Sequence, residues 1–235
     1  MGKSLIQQAR GRGSLTYRVR RRAFRHFISY PPFNCEGKAT VLTLINSAAH
    51  SAPLAKLRID NHTFIIPAPN GMYEGQEIWI GGRADKKIEV GDILQVKDVP
   101  QGMNVFNVEK TPGKGGKYLR TAGNYGVVMN KDKDRVELLV KRRTLRVHER
   151  ARAIIGVAAG DGRKLKPVVK AGKRFYMMRA IGRKWHRTSA VKMNAVDHPF
   201  GGGRGKRIKS KIAKRNAPAG ARVGHIRPAR TGRKK

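Results

Sequence analysis

The last 62 residues carry 19 Lys or Arg and a single acid, Asp197. The first 36 carry 8 basic residues and one acid, Glu36. Such segments lack counter-charges for side-chain pairing and hold little apolar surface to offset the entropy of ordering. Residues 37–173 differ, with 25 basic and 13 acidic residues. The chain therefore divides at 36/37 and 173/174 into a moderately basic centre able to fold and two basic extensions, 1–36 and 174–235. Over all 235 residues the formal net charge is +37. Self-repulsion on that scale destabilises a compact state unless a polyanion neutralises it. Nucleic acid is the common polyanion of matching size, and an acidic membrane surface is the weaker candidate.

Other classes fall away. The one cysteine, Cys35, excludes an intramolecular disulfide. No window approaches the ~20 apolar residues that cross a bilayer. The start, MGKSLIQQARGRG, lacks the apolar stretch of a signal peptide. The expectation is a cytoplasmic nucleic-acid binder.

In the centre the apolar residues alternate. Ala55, Leu57 and Ile59 share one face of a strand, and Lys56, Arg58 and Asp60 the other. Val136, Leu138 and Val140 repeat the pattern after a polar hairpin loop, Lys131-Asp132-Lys133-Asp134. Short apolar runs at 38–45, 64–66, 77–80, 92–97, 105–108, 126–130, 145–147 and 153–158 complete the set, most bounded by Gly or Pro. No segment sustains a 3.6-residue period. Short strands at this spacing specify an all-β fold, a sandwich or barrels. Their number suggests two small barrels, jointed near Val99-Pro100-Gln101-Gly102. In the second extension, Ile208 and Ile212 permit a short basic helix.

Catalytic and metal patterns fail on inspection. The seven histidines (26, 50, 62, 148, 186, 198 and 225) show no paired ligand spacing, so no metal site is expected. Residues 111–118, Thr-Pro-Gly-Lys-Gly-Gly-Lys-Tyr, look like a phosphate loop, but Thr111 and Tyr118 stand where that motif needs Gly and Ser/Thr. The loop reads instead as bare backbone amides and lysines meeting polynucleotide phosphates. Ser189, Asp197 and His198 are neighbours in sequence, which does not make a triad. An enzyme is not expected, nor a cofactor.

The extensions interleave arginine with aromatics, among them Phe24, Phe27, Phe175, Tyr176, Trp185 and Phe200. Arginine bridges phosphates and stacks on bases. Aromatics stack on unpaired bases. Long, varied, Gly-punctuated arms flanking barrels favour a single folded RNA. A DNA-compacting protein and a non-resident RNA chaperone are the rival readings.

Residues 193–203, Met-Asn-Ala-Val-Asp-His-Pro-Phe-Gly-Gly-Gly, resemble the MNPV(D/E)HPxGGG signature of the ribosomal protein L2 family of the large subunit. Supporting strings run along the chain: GRGS at 11–14, APLA at 52–55, EKTPG at 109–113, RTAGNY at 120–125, RAIIG at 152–156, KAG at 170–172 and APAG at 217–220. The ends resemble the archaeal and eukaryotic branch. Ala195 departs from the signature's proline, which loosens the turn before His198.

The resemblance implies an OB-like barrel at 37–97 followed by an SH3-like barrel at 98–173, between the long basic non-globular extensions. It implies large-subunit rRNA as partner, near the peptidyl transferase centre, with roles in subunit association, tRNA placement and peptide-bond formation. Neighbouring ribosomal proteins and the small subunit are further implied contacts; neither a membrane nor a homo-oligomer is expected. Magnesium would accompany the RNA without a protein site. The candidate rRNA-binding residues in the first extension are Arg10, Arg12, Arg18, Arg20, Arg21, Arg22 and Arg25. In the centre they are Lys114, Lys117, Arg120, Asn124 and Arg150, with Arg152 matching a basic residue that the family associates with rRNA binding. In the second extension they are Trp185, Arg187, Met193, Asn194, His198, Phe200, Gly201, Gly202, Gly203, Arg204, Lys206 and Arg207. His198 matches the histidine nearest the catalytic centre, and the loop reads as packing against RNA rather than as a general base.

Overall fold

The computed structural model describes residues 5–82, 87–203, 212–213, 215–218 and 220–226. The chain forms two compact units, residues 21–169 and residues 1–20 with 170–235.

In the first of these units the β-branched and apolar runs become strands. They are β1 (Gly37–Ile45), β2 (Leu54–Ile59), β3 (His62–Pro67), β4 (Glu77–Ile80), β5 (Ile93–Gln95) and β6 (Asn104–Phe106). After a two-residue strand β7 (Val108–Glu109) and β8 (Gly116–Tyr118) come β9 (Gly126–Lys131), β10 (Arg135–Val140), β11 (Arg143–His148) and β12 (Arg152–Ile155). Ten of them form one sheet in the order β11-β10-β9-β6-β12-β5-β4-β1-β2-β3, while β7 and β8 pair apart. The alternation in β2 and β10 has the expected faces: Leu57, Ile59, Val136 and Leu138 are buried, and Arg58 is exposed.

Two apolar cores use this sheet. One gathers side chains of β1 to β4 with Tyr30, Ile93, Phe106 and Ile154. The other gathers Leu94, Val105, Ala153 and Ile155 with Val128, Val136, Leu138 and Val147. Successive strand residues point to opposite faces. Thus Ile93 and Leu94, Val105 and Phe106, and Ile154 and Ile155 feed different cores. Strands buried on both faces lose the polar-apolar alternation, and all four residues of β12 are buried.

The remaining unit contains α1 (Ile6–Gly11), α2 (Ala171–Ala180) and a parallel pair of two-residue strands, β13 (Ile212–Ala213) and β14 (His225–Ile226). Helix α2 was not foreseen and crosses the composition boundary at 173/174. Its residues are mostly good helix formers without Pro or β-branching, and none is buried. A helix without a buried face has no 3.6-residue pattern to display. The helix allowed by Ile208 and Ile212 lies largely outside the described residues, and Ile212 is itself in a strand. No helix among the described residues is long and apolar enough to cross a membrane.

Candidate nucleic-acid interface

The best-built polar centre is one that sequence reading missed. Glu109 ends β7 and is completely buried, and Arg152 opens β12 with 5% exposure. Arg152 Nη2 and Nε donate to Glu109 Oε1 at 3.0 and 3.3 Å, and the Arg152 amide donates to Oε2 at 3.0 Å. Nη1 donates to the Pro31 carbonyl at 2.7 Å. The guanidinium also lies 4.3 Å from the ring centre of Phe33 and 5.0 Å from that of Tyr30. Tyr30 donates its hydroxyl to the Asn107 carbonyl at 2.7 Å. Burial, and then the nearby Glu109 charge, hold the Tyr30 phenol well above its ordinary pKa. No alternation or motif signals this pairing, because its members lie 43 residues apart.

That carboxylate changes the reading of the glycine loop. The amides of Gly113 and Gly115 donate to Glu109 at 3.2 and 3.1 Å. They point inward and are not bare donors for phosphate. Segment 110–115 links β7 to β8, a hairpin rather than the strand-to-helix turn of a phosphate loop. Gly116 is required because a Cβ there would collide with the Asn107 side chain and carbonyl. Lys114 and Lys117 are exposed, and so is Lys110, which the candidate set omits. Arg120 is half-buried and donates to the Gly116 carbonyl at 3.2 Å. The Asn124 side-chain amide, also half-buried, donates to the Thr121 hydroxyl. Arg150 is exposed beside Glu149 at 3.7 Å. Arg152 is a buried cation whose guanidinium is engaged by Glu109, Pro31 and two rings.

Arg21, Arg22 and Arg25 are exposed, the first two on a single helical turn, Arg21–Phe24. That turn is held by the Ala49 amide donating to the Ala23 carbonyl at 3.3 Å and by an edge contact of Phe24 with His50 at 5.3 Å. Burial, then Arg120 and His26, lower the His50 pKa.

In the other unit, Arg10, Arg12, Arg18 and Arg20 are all exposed. The backbone at Arg18 and Val19 lies so close to Gly182 that an added Cβ would meet it at 3.0 Å. An open cavity of about 1430 Å³ brings Arg10 together with Trp185, Arg187, Met193, Asn194, His198 and Phe200. Small-molecule sites usually hold about 300–1,000 Å³, so the space suits a polymer better. Arg12, Arg18 and Arg20 do not line it. Arg204, Lys206 and Arg207 lie outside the described residues.

The histidine loop has its own order. The amides of Asp197 and His198 both donate to the Asn194 carbonyl, at 3.0 and 3.2 Å, so the turn closes despite Ala195. The Gly202 amide donates to the Met193 carbonyl at 3.0 Å. A Cβ on Gly201 would collide with the carbonyls of Met193 and Asn194. Gly202 and Gly203 are exposed. His198 Nδ1 accepts the Phe200 amide at 3.0 Å, which fits the neutral ring with its proton on Nε2. The two rings stand 5.1 Å apart. Among the described residues, no group of three His, Cys, Asp or Glu side chains could hold a metal ion.

Residues 89–220 match the family described as Ribosomal Proteins L2, C-terminal domain. The chain is 41% identical over 239 aligned positions to the "Large ribosomal subunit protein uL2" of Sulfurisphaera tokodaii, covering 100% of this chain and 99% of that protein. It is 39% identical to the uL2 proteins of Methanosphaera stadtmanae, with 100% of both chains covered, and Archaeoglobus fulgidus, with 99% of both covered. A match of this extent, on a chain carrying the histidine-glycine loop at 193–203, places it: the chain belongs to the ribosomal protein L2 family.

Proposed function

We propose that the chain is a structural constituent of the large ribosomal subunit that binds and organises rRNA near the peptidyl transferase centre. In this reading it supports subunit association, tRNA placement and peptide-bond formation without being the catalyst. It works as one copy, in the cytoplasm on the ribosome, beside neighbouring ribosomal proteins and in contact with the small subunit. In this reading residues 37–97 make an OB-like barrel and 98–173 an SH3-like barrel that share strands across their boundary, and the basic extensions within 1–36 and 174–235 meet the RNA.

One observation carries the reading. Among the described side chains of the unit built from 1–20 and 170–235, the buried apolar ones are Leu5, Ala213 and Val223. Three such side chains offset only a few kcal/mol, far below the entropy of ordering so many residues. A polyanion that neutralises Arg10, Arg187 and their neighbours supplies the missing stabilisation. His198 acts in this reading as a packing and hydrogen-bonding element, because its Nδ1 is engaged by the Phe200 amide.

The test is sedimentation with a binding isotherm. The tagged full chain should co-migrate with large subunits at moderate salt. The purified chain should bind a large-subunit rRNA fragment with log affinity falling by about 0.9 per neutralised duplex phosphate for each log unit of salt. A chain that stays at the top of the gradient, or binds any duplex DNA equally well, overturns the proposal.

A further inference from the structure

We infer that Glu109 and Arg152 are positioning residues for RNA binding: they hold the β7–β8 loop so that Lys110, Lys114 and Lys117 meet phosphate as one pre-ordered cationic element. The inference rests on the RNA-binding reading above and assigns a role inside it to a buried acid.

The loop has little order of its own. Gly113 and Gly115 sit at φ +80 and +77, and Gly116 follows them. Glycine gives up more conformational freedom on ordering than any other residue. Within the loop, one backbone bond closes a turn, from the Lys114 amide to the Thr111 carbonyl at 3.2 Å. The other anchors come from outside it. Glu109 takes the Gly113 and Gly115 amides, and Arg120 takes the Gly116 carbonyl. Phe33, stacked on the Arg152 guanidinium, lies where a Cβ on Gly113 would touch its ring at 3.5 Å. The carboxylate thus faces inward, both of its oxygens accepting hydrogen bonds, and the three lysines are left exposed. In a chain of net charge +37 this acid pairs with Arg152 and aims the three loop lysines, which it does not neutralise. Ordering the loop in advance removes from binding the entropy it would otherwise lose there.

The experiment is a double-mutant cycle on the full chain with a transcribed large-subunit rRNA fragment across a salt series. Replacing all three lysines by alanine (K110A/K114A/K117A) should reduce the salt slope by about 2 to 3. Glu109→Gln should weaken binding about tenfold at fixed salt, the scale of ordering one or two loop residues. In the lysine-free background Glu109→Gln should cost nothing further, because its effect runs through those lysines. Hydrogen exchange on the wild-type chain should show protected Gly113 and Gly115 amides. A lysine-free variant that binds as wild type overturns the inference and leaves RNA binding intact. So do equal losses from Glu109→Gln in both backgrounds, which would mark a merely structural acid, and fast exchange of the two amides. Should Glu109→Gln fail to fold, the lysine variant, altered only at exposed side chains, and the wild-type exchange decide the matter. A wild-type chain without salt-dependent binding overturns the RNA reading and this inference with it.

Discussion

Replacing Arg152 by alanine would leave Glu109 as an uncompensated charge in the interior of the β unit. Its side chain has 0% exposure, against 6% for the arginine. Breaking a buried pair by removing one partner costs about 3–5 kcal/mol. Losing the Nη1 bond leaves the buried Pro31 carbonyl without that donor, for about 1 kcal/mol more. Three backbone amides, those of Gly113, Gly115 and residue 152, still reach the carboxylate and offset part of the loss. The net is about 4 kcal/mol. For a unit of roughly 150 residues that corresponds to a drop of about 12 °C in Tm. Thermal unfolding followed by circular dichroism, in the full chain without RNA, measures it. Removing both charges, as Glu109→Leu with Arg152→Met, should recover only part of the loss, since it ends the uncompensated charge but leaves the amides of Gly113, Gly115 and residue 152 without their acceptor. An Arg152→Ala chain melting within about 2 °C of wild type would refute the reasoning.

Two further outcomes follow from the same geometry. The Tyr30 pKa is raised by burial and then by Glu109, so the folded state keeps a proton that the unfolded state releases above about pH 10. This contribution is complete below that pH and lost as pH rises through the folded-state pKa. Denaturant unfolding from pH 8 to 11 should therefore show Tyr30→Phe with the flatter profile, and equal slopes would count against a buried phenol. Gly201→Ala forces a Cβ into the Met193 and Asn194 carbonyls and should weaken binding to the rRNA fragment by about tenfold or more, as expected for a strained loop worth 1–3 kcal/mol; unchanged affinity would remove the loop from the interface.

The strands that announced themselves were those with one wet face. In β2 and β10 alternation marks both the element and its buried side. Strands β5, β6 and β12 also read as strands, but their continuous apolar runs gave no sign that alternate residues serve different cores. Strand β8, Gly-Lys-Tyr, carried no pattern because it is short and its pairing with β7 is set by Glu109. Helix α2 gave no pattern because none of its residues is buried. The exposed cations of the candidate interface were legible from composition, since charge without counter-charge is a property of the sequence. The burial of Arg152 was not legible, because burial of a cation depends on a partner acid that only the fold brings near. The histidine loop was legible as a string, whereas its engagement of Nδ1 by a backbone amide was not.

The position of β12 bears on how the chain is made. It pairs with β5 on one side and β6 on the other, and its first residue grips Pro31, 121 positions earlier. Until the ribosome making this chain has released residue 155, β5 and β6 each present an open edge, and the segment around Tyr30 lacks its clasp. Unpaired edges invite wrong partners. The two halves of the sheet are therefore joined late in synthesis, by a four-residue strand. Any truncation upstream of it should yield a product prone to aggregate, however complete its earlier strands.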